Sequence, residues 1–265
     1  KNYISDIGFE TELWEGEGYP IIFAENLKAG PDKPTLLLYH HYDVQPVDPE
    51  EDWESAPFTP TVRDGKVFAR GAQDNKGQCF YSVSALKAYI DLFKDFPINI
   101  KLCIEGEEEV GSPFLFKKLK EKKEKLKAEH LAIVDTIIPA KDRPAISLAA
   151  RGTLALEVDL TGSNIDLHSG LHGGIVYNPI HALVEILGKL RDENGRVQIP
   201  GFYDDLEDLS MEELSELDFS FDQDGYESTY ETKTTGGESN FSPMQSNTIR
   251  PTIEINGISG GYAGE

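Results

Sequence analysis

Hydrophobic residues in the first 150 positions fall into short apolar runs separated by longer amphipathic stretches. Continuous apolar runs are typical of strands that are buried on both faces, and they occupy residues 35–40, 98–105, 130–135 and 145–150. Between these runs, apolar residues recur at roughly helical spacing over 75–95 and 112–129. This β-α-β order predicts an α/β domain over residues 1–150, in which helices flank a mostly parallel sheet.

The pattern changes after Arg151. Residues 153–162 alternate between apolar and polar side chains, as in a strand with one solvated face, and 251–261 are also strand-like. Residues 179–193 have the apolar spacing of a helix. We therefore expect residues 151–265 to form a second, α+β domain with helices packed on an antiparallel sheet.

Charge narrows the classes of partner. The chain has 265 residues with 25 basic and 47 acidic side chains, which gives a net charge of −22. Such a protein repels phosphate backbones and anionic lipids, so neither nucleic acid nor membrane is expected as a partner. Two cysteines provide no disulfide framework, and no apolar run is long enough to span a bilayer, so we expect a cytoplasmic protein.

Polar, chemically capable side chains follow the predicted strands where each strand ends. His41 and Asp43 follow the first run, Glu105, Glu107, Glu108 and Glu109 follow the second, and Asp135 follows the third, while Asp74 lies just before the helix predicted over 75–95. Ligands of open parallel sheets bind beyond the carboxyl ends of the strands, so these side chains are expected at one edge. Any one of them could be an ordinary surface acid, but consecutive strands that end in this way favour a common site.

A metal ion accounts for this cluster. Neighbouring carboxylates repel one another unless a positive charge lies among them. Imidazole together with carboxylates suits zinc, with manganese or cobalt as alternatives. His41 and Asp43 are two residues apart and point to the same side of an extended chain, so one can bind the metal while the other orients it. His40 points the opposite way, which favours a packing role.

Four ordered motifs carry a resemblance to a known family. They are "HYDVQP" (41–46), "DGKVFARGAQDNKG" (64–77), "EGEEEVGS" (105–112) and "DLHSGLHGG" (166–174). Together they resemble the M20 family of metallopeptidases, and "DVQP" favours its dipeptidase, carnosinase-like branch. The resemblance implies a di-zinc exopeptidase-like catalytic domain over 1–150 and a lid or dimerisation domain over 151–265.

The resemblance also implies roles for individual residues and two divalent metal ions. His41 and Asp135 are expected to bind one ion, Asp74 to bridge both ions, Glu109 to bind the second, Asp43 to orient His41, and Glu108 to act as general base on a metal-activated water. The Asp74–Asn75 peptide bond is expected to be cis. Glu107 is an additional acid, so an assignment shifted by one residue is the alternative.

His168, in the fourth motif, resembles the family histidine that reaches into the active site of the partner subunit. The implied assembly is a homodimer formed through the lid domain, and the implied substrate is a small peptide.

The resemblance also bears on the extent of the chain, and it leaves two alternatives to the peptidase open. Family members continue past this length and supply a further metal-binding histidine and a substrate-binding arginine, so the chain resembles a fragment that lacks both ends. The same site would suit an N-acyl amino acid deacylase. A catalytically inactive, dimerising fragment is the other alternative.

Overall fold

The computed structural model describes most of the chain. The described residues are 1–47, 52–136, 138, 145–147, 150–207, 209–216 and 221–261. The chain divides into two compact units, Lys1–Ala145 and Ile146–Glu265. The apolar run predicted at 145–150 lies partly outside the described residues, and its described positions are not in a strand.

The first unit contains all the strands found in the described residues. These are β1 (Glu10–Trp14), β2 (Ile21–Asn26), β3 (Thr35–His41), β4 (Thr61–Arg63), β5 (Lys66–Phe68), β6 (Asn99–Glu105) and β7 (His130–Ile133). Its helices are α1 (Asn2–Asp6), α2 (Lys76–Phe93), α3 (Pro113–Glu121) and α4 (Lys123–Leu126), with a 3-10 turn at Glu108–Val110.

Five strands form one sheet in the order β1-β2-β6-β3-β7, and β4 pairs with β5 alone. The strands β6, β3 and β7 run parallel, while β1 and β2 add an antiparallel edge. Parallel neighbours need a crossover connection. Accordingly, α2 lies between β3 and β6 in the chain, and α3 and α4 lie between β6 and β7. The α/β class with a central, mostly parallel sheet is confirmed.

β6 is buried along its whole length because strands flank it and side chains from helices cover both faces. Leu102 and Ile104 belong to a core that includes Ile4 of α1 and Val83 of α2. Cys103 points to the other face and belongs to a second core with Phe114 of α3. Full burial of a large apolar side chain contributes roughly 1.5–3 kcal/mol, so these two cores fix the position of the strand ends.

One charged residue also lies within β6. Lys101 is buried, and its Nζ donates hydrogen bonds to the carbonyl oxygens of Lys125 (2.6 Å) and Lys127 (2.8 Å). A buried ammonium group is tolerated only when its donors are used. Lys101 therefore links the centre of the sheet to the end of α4.

The predicted helices form with shorter bounds. The helix expected over 112–129 is interrupted at Lys122, which separates α3 from α4. The helix expected over 179–193 is α6 (Pro179–Gly188) in the second unit. The remaining helices of that unit are α5 (Ser169–His172), α7 (Met211–Glu216), α8 (Gln223–Tyr230) and α9 (Pro243–Thr248).

The antiparallel sheet expected in the second unit is not found in its described residues. Residues 153–162 and 251–261 have no strand. Elsewhere in the described part of this unit, Arg191 and Val197 form an isolated antiparallel bridge. An alternating pattern produces a strand only when another strand offers hydrogen bonds alongside. Leu154 and Leu156 are 82% and 79% exposed, so the predicted inner face of this segment is not covered.

Candidate metal centre and active site

The carboxyl ends of the parallel strands bring the predicted residues together. His41 is the last residue of β3 and pairs with Glu105, the last residue of β6. Asp135 lies two residues beyond the end of β7, and Asp74 immediately precedes Asn75, the N-cap of α2. The cluster is therefore located at the sheet edge where ligands of such folds bind.

Three of these side chains form a group with the dimensions of a metal site. His41 Nε2 lies 3.0 Å from Asp74 Oδ1 and 3.6 Å from Asp135 Oδ1, and the three candidate donor atoms are all within 4.8 Å of one another. Among the residues that the structure describes, no lysine or arginine forms an ion pair with either aspartate. One imidazole and two carboxylates without a balancing cation fit a divalent ion such as zinc.

Asp43 orients the histidine of this group. Asp43 Oδ1 lies 3.1 Å from His41 Nδ1, so the other ring nitrogen, Nε2, faces the two aspartates. The second oxygen of Asp43 accepts a hydrogen bond from the backbone N–H of Glu109 (3.0 Å). One carboxylate thus fixes both the His41 ring and the turn that carries the glutamates, as partners of metal ligands commonly do.

The charge of the cluster changes the pKa of His41. Burial by itself lowers this pKa, because desolvation disfavours the imidazolium form. The carboxylates of Asp135, Asp43, Glu108 and Asp74 outweigh burial and raise the pKa above its usual value. The surroundings therefore favour a positive charge at this position.

Glu108 lies beside the three-residue group and is partly exposed. Its Oε2 is 3.9 Å from His41 Nε2, and 38% of its side-chain surface is exposed. Burial raises the pKa of Glu108; His41 opposes this effect, whereas Asp135, Glu109 and Asp43 add to it. A carboxylate with a raised pKa and access to solvent is suited to accept a proton from water.

Glu109 is near the group without belonging to it. Its Oε2 accepts a hydrogen bond from Gln45 Nε2 (2.8 Å), and the same nitrogen lies 3.2 Å from the Glu109 carbonyl oxygen. The structure therefore brings together His41, Asp74 and Asp135, and places Glu108 and Glu109 on the adjacent 3-10 turn.

Glu107 is directed away from the cluster. Its two carboxylate oxygens accept backbone N–H groups of Tyr19 (2.9 Å) and Phe114 (2.9 Å). Phe114 lies in the first turn of α3, where N–H groups have no partner within the helix. Glu107 thus joins the turn to α3 and to the β1–β2 connection.

Glu105 is also directed into the protein. It is 1% exposed, and its Oε1 accepts hydrogen bonds from the hydroxyls of Tyr39 (2.6 Å) and Ser112 (2.5 Å). A buried carboxylate needs such donors. Glu105 and Glu107 precede Glu108, and their partners Ser112 and Phe114 follow Glu109. These contacts therefore anchor both ends of the segment that presents Glu108 and Glu109.

The Asp74–Asn75 peptide bond is cis, as the family resemblance implies. His168 belongs to the second unit, where it precedes α5 and its Nδ1 accepts a hydrogen bond from the backbone N–H of Gly170 (2.9 Å). The group of candidate metal-binding atoms is thus formed by the first unit, and the role expected for His168 stays a prediction.

The side chains of two residues in this region were assigned no role by sequence reasoning. Gln45 holds the Glu109 carboxylate, and Asn75 donates a hydrogen bond to Asp135. Gln45 lies in "HYDVQP", two residues after Asp43, and Asn75 lies in "GAQDNKG", directly after Asp74, and these positions are the signal that could have identified them. Among the described residues, no helix is long and apolar enough to cross a bilayer.

Comparison with known proteins identifies relatives over most of the chain. It is 34% identical over 269 residues to the Cys-Gly metallodipeptidase dug1 of Schizosaccharomyces pombe, which covers 98% of this chain and 55% of that protein. It is 38% identical over 198 residues to the human beta-Ala-His dipeptidase, which covers 74% of this chain and 39% of that protein. The chain spans about half the length of the curated relatives it matches.

Solved structures agree with this relationship. An M20 family metallo-carboxypeptidase from Sulfolobus solfataricus, Sso-CP2, is 31% identical and aligns over the whole chain and 60% of that protein with a TM-score of 0.76. Human carnosine dipeptidase 1 is 28% identical, with a TM-score of 0.68 over 99% of this chain and 58% of that protein. The sequence profile of the peptidase family M20/M25/M40 matches residues 37–262. The chain therefore belongs to the peptidase family M20/M25/M40.

Proposed function

We propose that this chain forms the metal-binding part of an enzyme that hydrolyses small, dipeptide-like substrates. The observation that carries the proposal is the convergence of His41, Asp74 and Asp135 within 4.8 Å, beside the partly exposed Glu108. The family of the chain and the names of its dipeptidase relatives support the same activity.

The site would hold two divalent ions, zinc first, with manganese or cobalt as alternatives. His41 and Asp135 would hold one ion, Asp74 would be shared, and Glu109 would serve the second ion. The donor set supports this assignment, because oxygen and imidazole ligands suit these metals. Gln45 supports the role of Glu109 by fixing the direction of its carboxylate.

The reaction needs an activated water and a proton carrier. When bound, divalent ions supply Lewis acidity that lowers the pKa of water and polarises a peptide carbonyl. Glu108 would take the proton of that water at its carboxylate and pass it to the leaving amine. Asp43 would keep the His41 ring in place during these steps, because it occupies Nδ1.

The relatives indicate the class of substrate. One is named for Cys-Gly and another for beta-Ala-His, which are both short peptides.

We extend the proposal to a cytoplasmic homodimer that associates through the second unit, where His168 would stabilise the developing negative charge in the partner's site.

The proposal is tested by measuring the hydrolysis of Cys-Gly and beta-Ala-His. The protein is expressed with any further residues that its gene encodes. Activity should disappear with a chelator and return with zinc or manganese. N-acetyl amino acids measured in parallel test the deacylase alternative, which would be favoured by faster turnover of those amides. Dimerisation without turnover of either class would favour the inactive alternative and contradict our proposal.

A further inference from the structure

Behind the three candidate ligands lies a second set of hydrogen-bonded groups. Each contributing residue is next to a ligand in the sequence: His40 precedes His41, Asn75 follows Asp74, and Val134 precedes Asp135. His40 and Asn75 are both 0% exposed. Successive residues of an extended strand point to opposite sides, so His40 is directed away from the partners of His41.

The amide of Asn75 has one consistent orientation. Its Nδ2 lies 2.8 Å from the carbonyl oxygen of Val134 and 2.5 Å from Asp135 Oδ1. Both partners are hydrogen-bond acceptors, so the atom that faces them must be the NH₂ group. Each of its two hydrogens then has an acceptor.

This orientation also determines the tautomer of His40. The remaining amide atom, Asn75 Oδ1, can only accept, and His40 Nδ1 lies 3.2 Å from it. His40 Nδ1 must therefore carry a hydrogen. Within the described chain His40 Nε2 is buried without a hydrogen-bond partner, so no competing contact fixes the ring differently.

We propose that His40 and Asn75 are positioning residues that hold Asp135 in the orientation required for metal binding. The inference rests on the proposed metal centre. Asp135 lies beyond β7, where strand pairing no longer restrains it, and its Oδ1 faces both His41 Nε2 (3.6 Å) and Asn75 Nδ2 (2.5 Å). The relay from His40 through Asn75 thus links the segments that carry all three ligands.

The burial of this pair supports a positioning role. Placing polar groups in a protein interior costs free energy that an apolar pair would avoid, and the unpartnered Nε2 of His40 adds to that cost. The relay lies at the one place where His41, Asp74 and Asp135 come together. Removal of a residue that orients a metal ligand commonly weakens metal binding by about 10–100-fold.

Replacement of Asn75 by leucine tests the inference, because leucine has nearly the same shape without polar atoms. Zinc affinity of the purified chain is measured by calorimetric competition with a chelator, and His41→Ala defines the zinc bound at this site. We expect Asn75→Leu to weaken this binding by about 10–100-fold.

Asn99→Leu is the matched control. Asn99 is also a buried asparagine, and its Nδ2 donates two hydrogen bonds, to the carbonyl oxygens of Gly30 (2.8 Å) and Lys33 (3.1 Å). It begins β6, at the opposite end of the strand from Glu105. Its replacement should lower the melting temperature comparably and change zinc affinity less than threefold.

A second pair of variants covers the case in which Asn75→Leu does not fold. In His40→Asn the side-chain amide can occupy the position of the Nδ1–H donor, whereas His40→Leu removes it. We expect near-normal zinc affinity for the first and at least about tenfold weaker binding for the second. Nitrogen-15 NMR of the metal-free chain should show His40 with its hydrogen on Nδ1.

The outcomes separate two failures. If the wild-type chain has no His41-dependent zinc binding, the proposed metal centre fails and this inference fails with it. If the wild type binds zinc and both leucine variants of the relay bind it within threefold, the inference alone is overturned. An equal loss of affinity in Asn99→Leu, or a hydrogen on Nε2 rather than Nδ1 of His40, would also overturn it.

Discussion

Adjacent residues in this site have opposite surroundings. Glu107 accepts two backbone N–H groups, whereas Glu108 next to it faces His41 and solvent. Glu109 is held by Gln45. The 3-10 turn at Glu108–Val110 changes the side-chain direction at each step, so three acids of the same type have three different environments.

This difference shows where sequence reasoning stops at the residue scale. The sequence pattern predicted that His41, Asp74 and Asp135 converge, because side-chain alternation is local and a β-α-β order places the carboxyl ends of parallel strands at one edge. It could not separate Glu107 from Glu108. That separation depends on N–H groups of Tyr19 and Phe114, which are 88 and 7 residues from Glu107 in the chain.

Glu108→Gln tests the role of the proposed base. An amide cannot accept the proton of water, so we expect kcat for dipeptide hydrolysis to fall by about 100-fold or more. Zinc affinity should change less than threefold, because Glu108 is outside the three-residue group. Steady-state kinetics and calorimetry provide the two readouts. Turnover within tenfold of the wild type would rule out Glu108 as the base.

Glu107→Gln tests the anchoring role of the neighbouring acid. Glutamine offers one acceptor where glutamate offers two, so one of the two N–H groups loses its partner. We expect the free energy of unfolding in urea to fall by about 1–3 kcal/mol.

Glu17→Gln provides the comparison for Glu107→Gln. Glu17 is 87% exposed and pairs with Lys117, and ion pairs in solvent contribute little, so its replacement should leave the free energy of unfolding nearly unchanged. Equal effects of the two substitutions would show that the hydrogen bonds of Glu107 do not anchor the turn.

At the scale of elements, the first unit follows its apolar pattern closely. β3, β6 and β7 occupy the predicted runs, and α2 fills most of the predicted helix. The division of the next helix at Lys122 and the absence of strands from the described part of the second unit were not predicted. Both depend on contacts with other parts of a protein, which an apolar pattern does not specify.

The reactivity of the two cysteines measures how tightly these elements pack. Burial raises the pKa of the Cys79 thiol on α2 to about 11 and that of Cys103 on β6 to about 12. A thiol reacts as its thiolate, so at pH 8 only ~0.1% or less of either group is reactive. We expect the native chain to react with a disulfide reagent at least about 100-fold more slowly than the denatured chain.

The pH dependence of that reaction has a defined direction. Raising the pH from 7 to 9 should increase the rate by about tenfold per unit, because the thiolate fraction increases in that proportion below a raised pKa. Absorbance of the released reagent anion measures the rate. Complete labelling of the folded chain within a minute at pH 8 would contradict the packing described for α2 and β6.

For the whole molecule, the negative charge has two consequences. A net charge of −22 disfavours anionic partners, and it also provides many surface carboxylates that bind cations weakly. Specific binding at the strand ends must therefore be distinguished from binding to the acidic surface.

Thermal unfolding with zinc makes this distinction. A ligand at 100 times its dissociation constant stabilises the folded state by about 2.7 kcal/mol. We expect zinc to raise the melting temperature of the first unit by roughly 5–10 °C, an increase that a chelator reverses. Calorimetric scans of wild type and His41→Ala provide the test. An equal increase in His41→Ala would assign the effect to surface carboxylates.

The alternation of His40 and His41 along β3 has a further consequence for how this protein reaches its native state. If β3 slipped by one residue against β6, the two imidazoles would exchange sides, and His41 would be directed away from Asp74 and Asp135. At the proposed metal centre, an ion could then be bound only after the sheet had aligned correctly. Zinc supplied during refolding would stabilise molecules with the native strand alignment and would not stabilise molecules with a slipped strand.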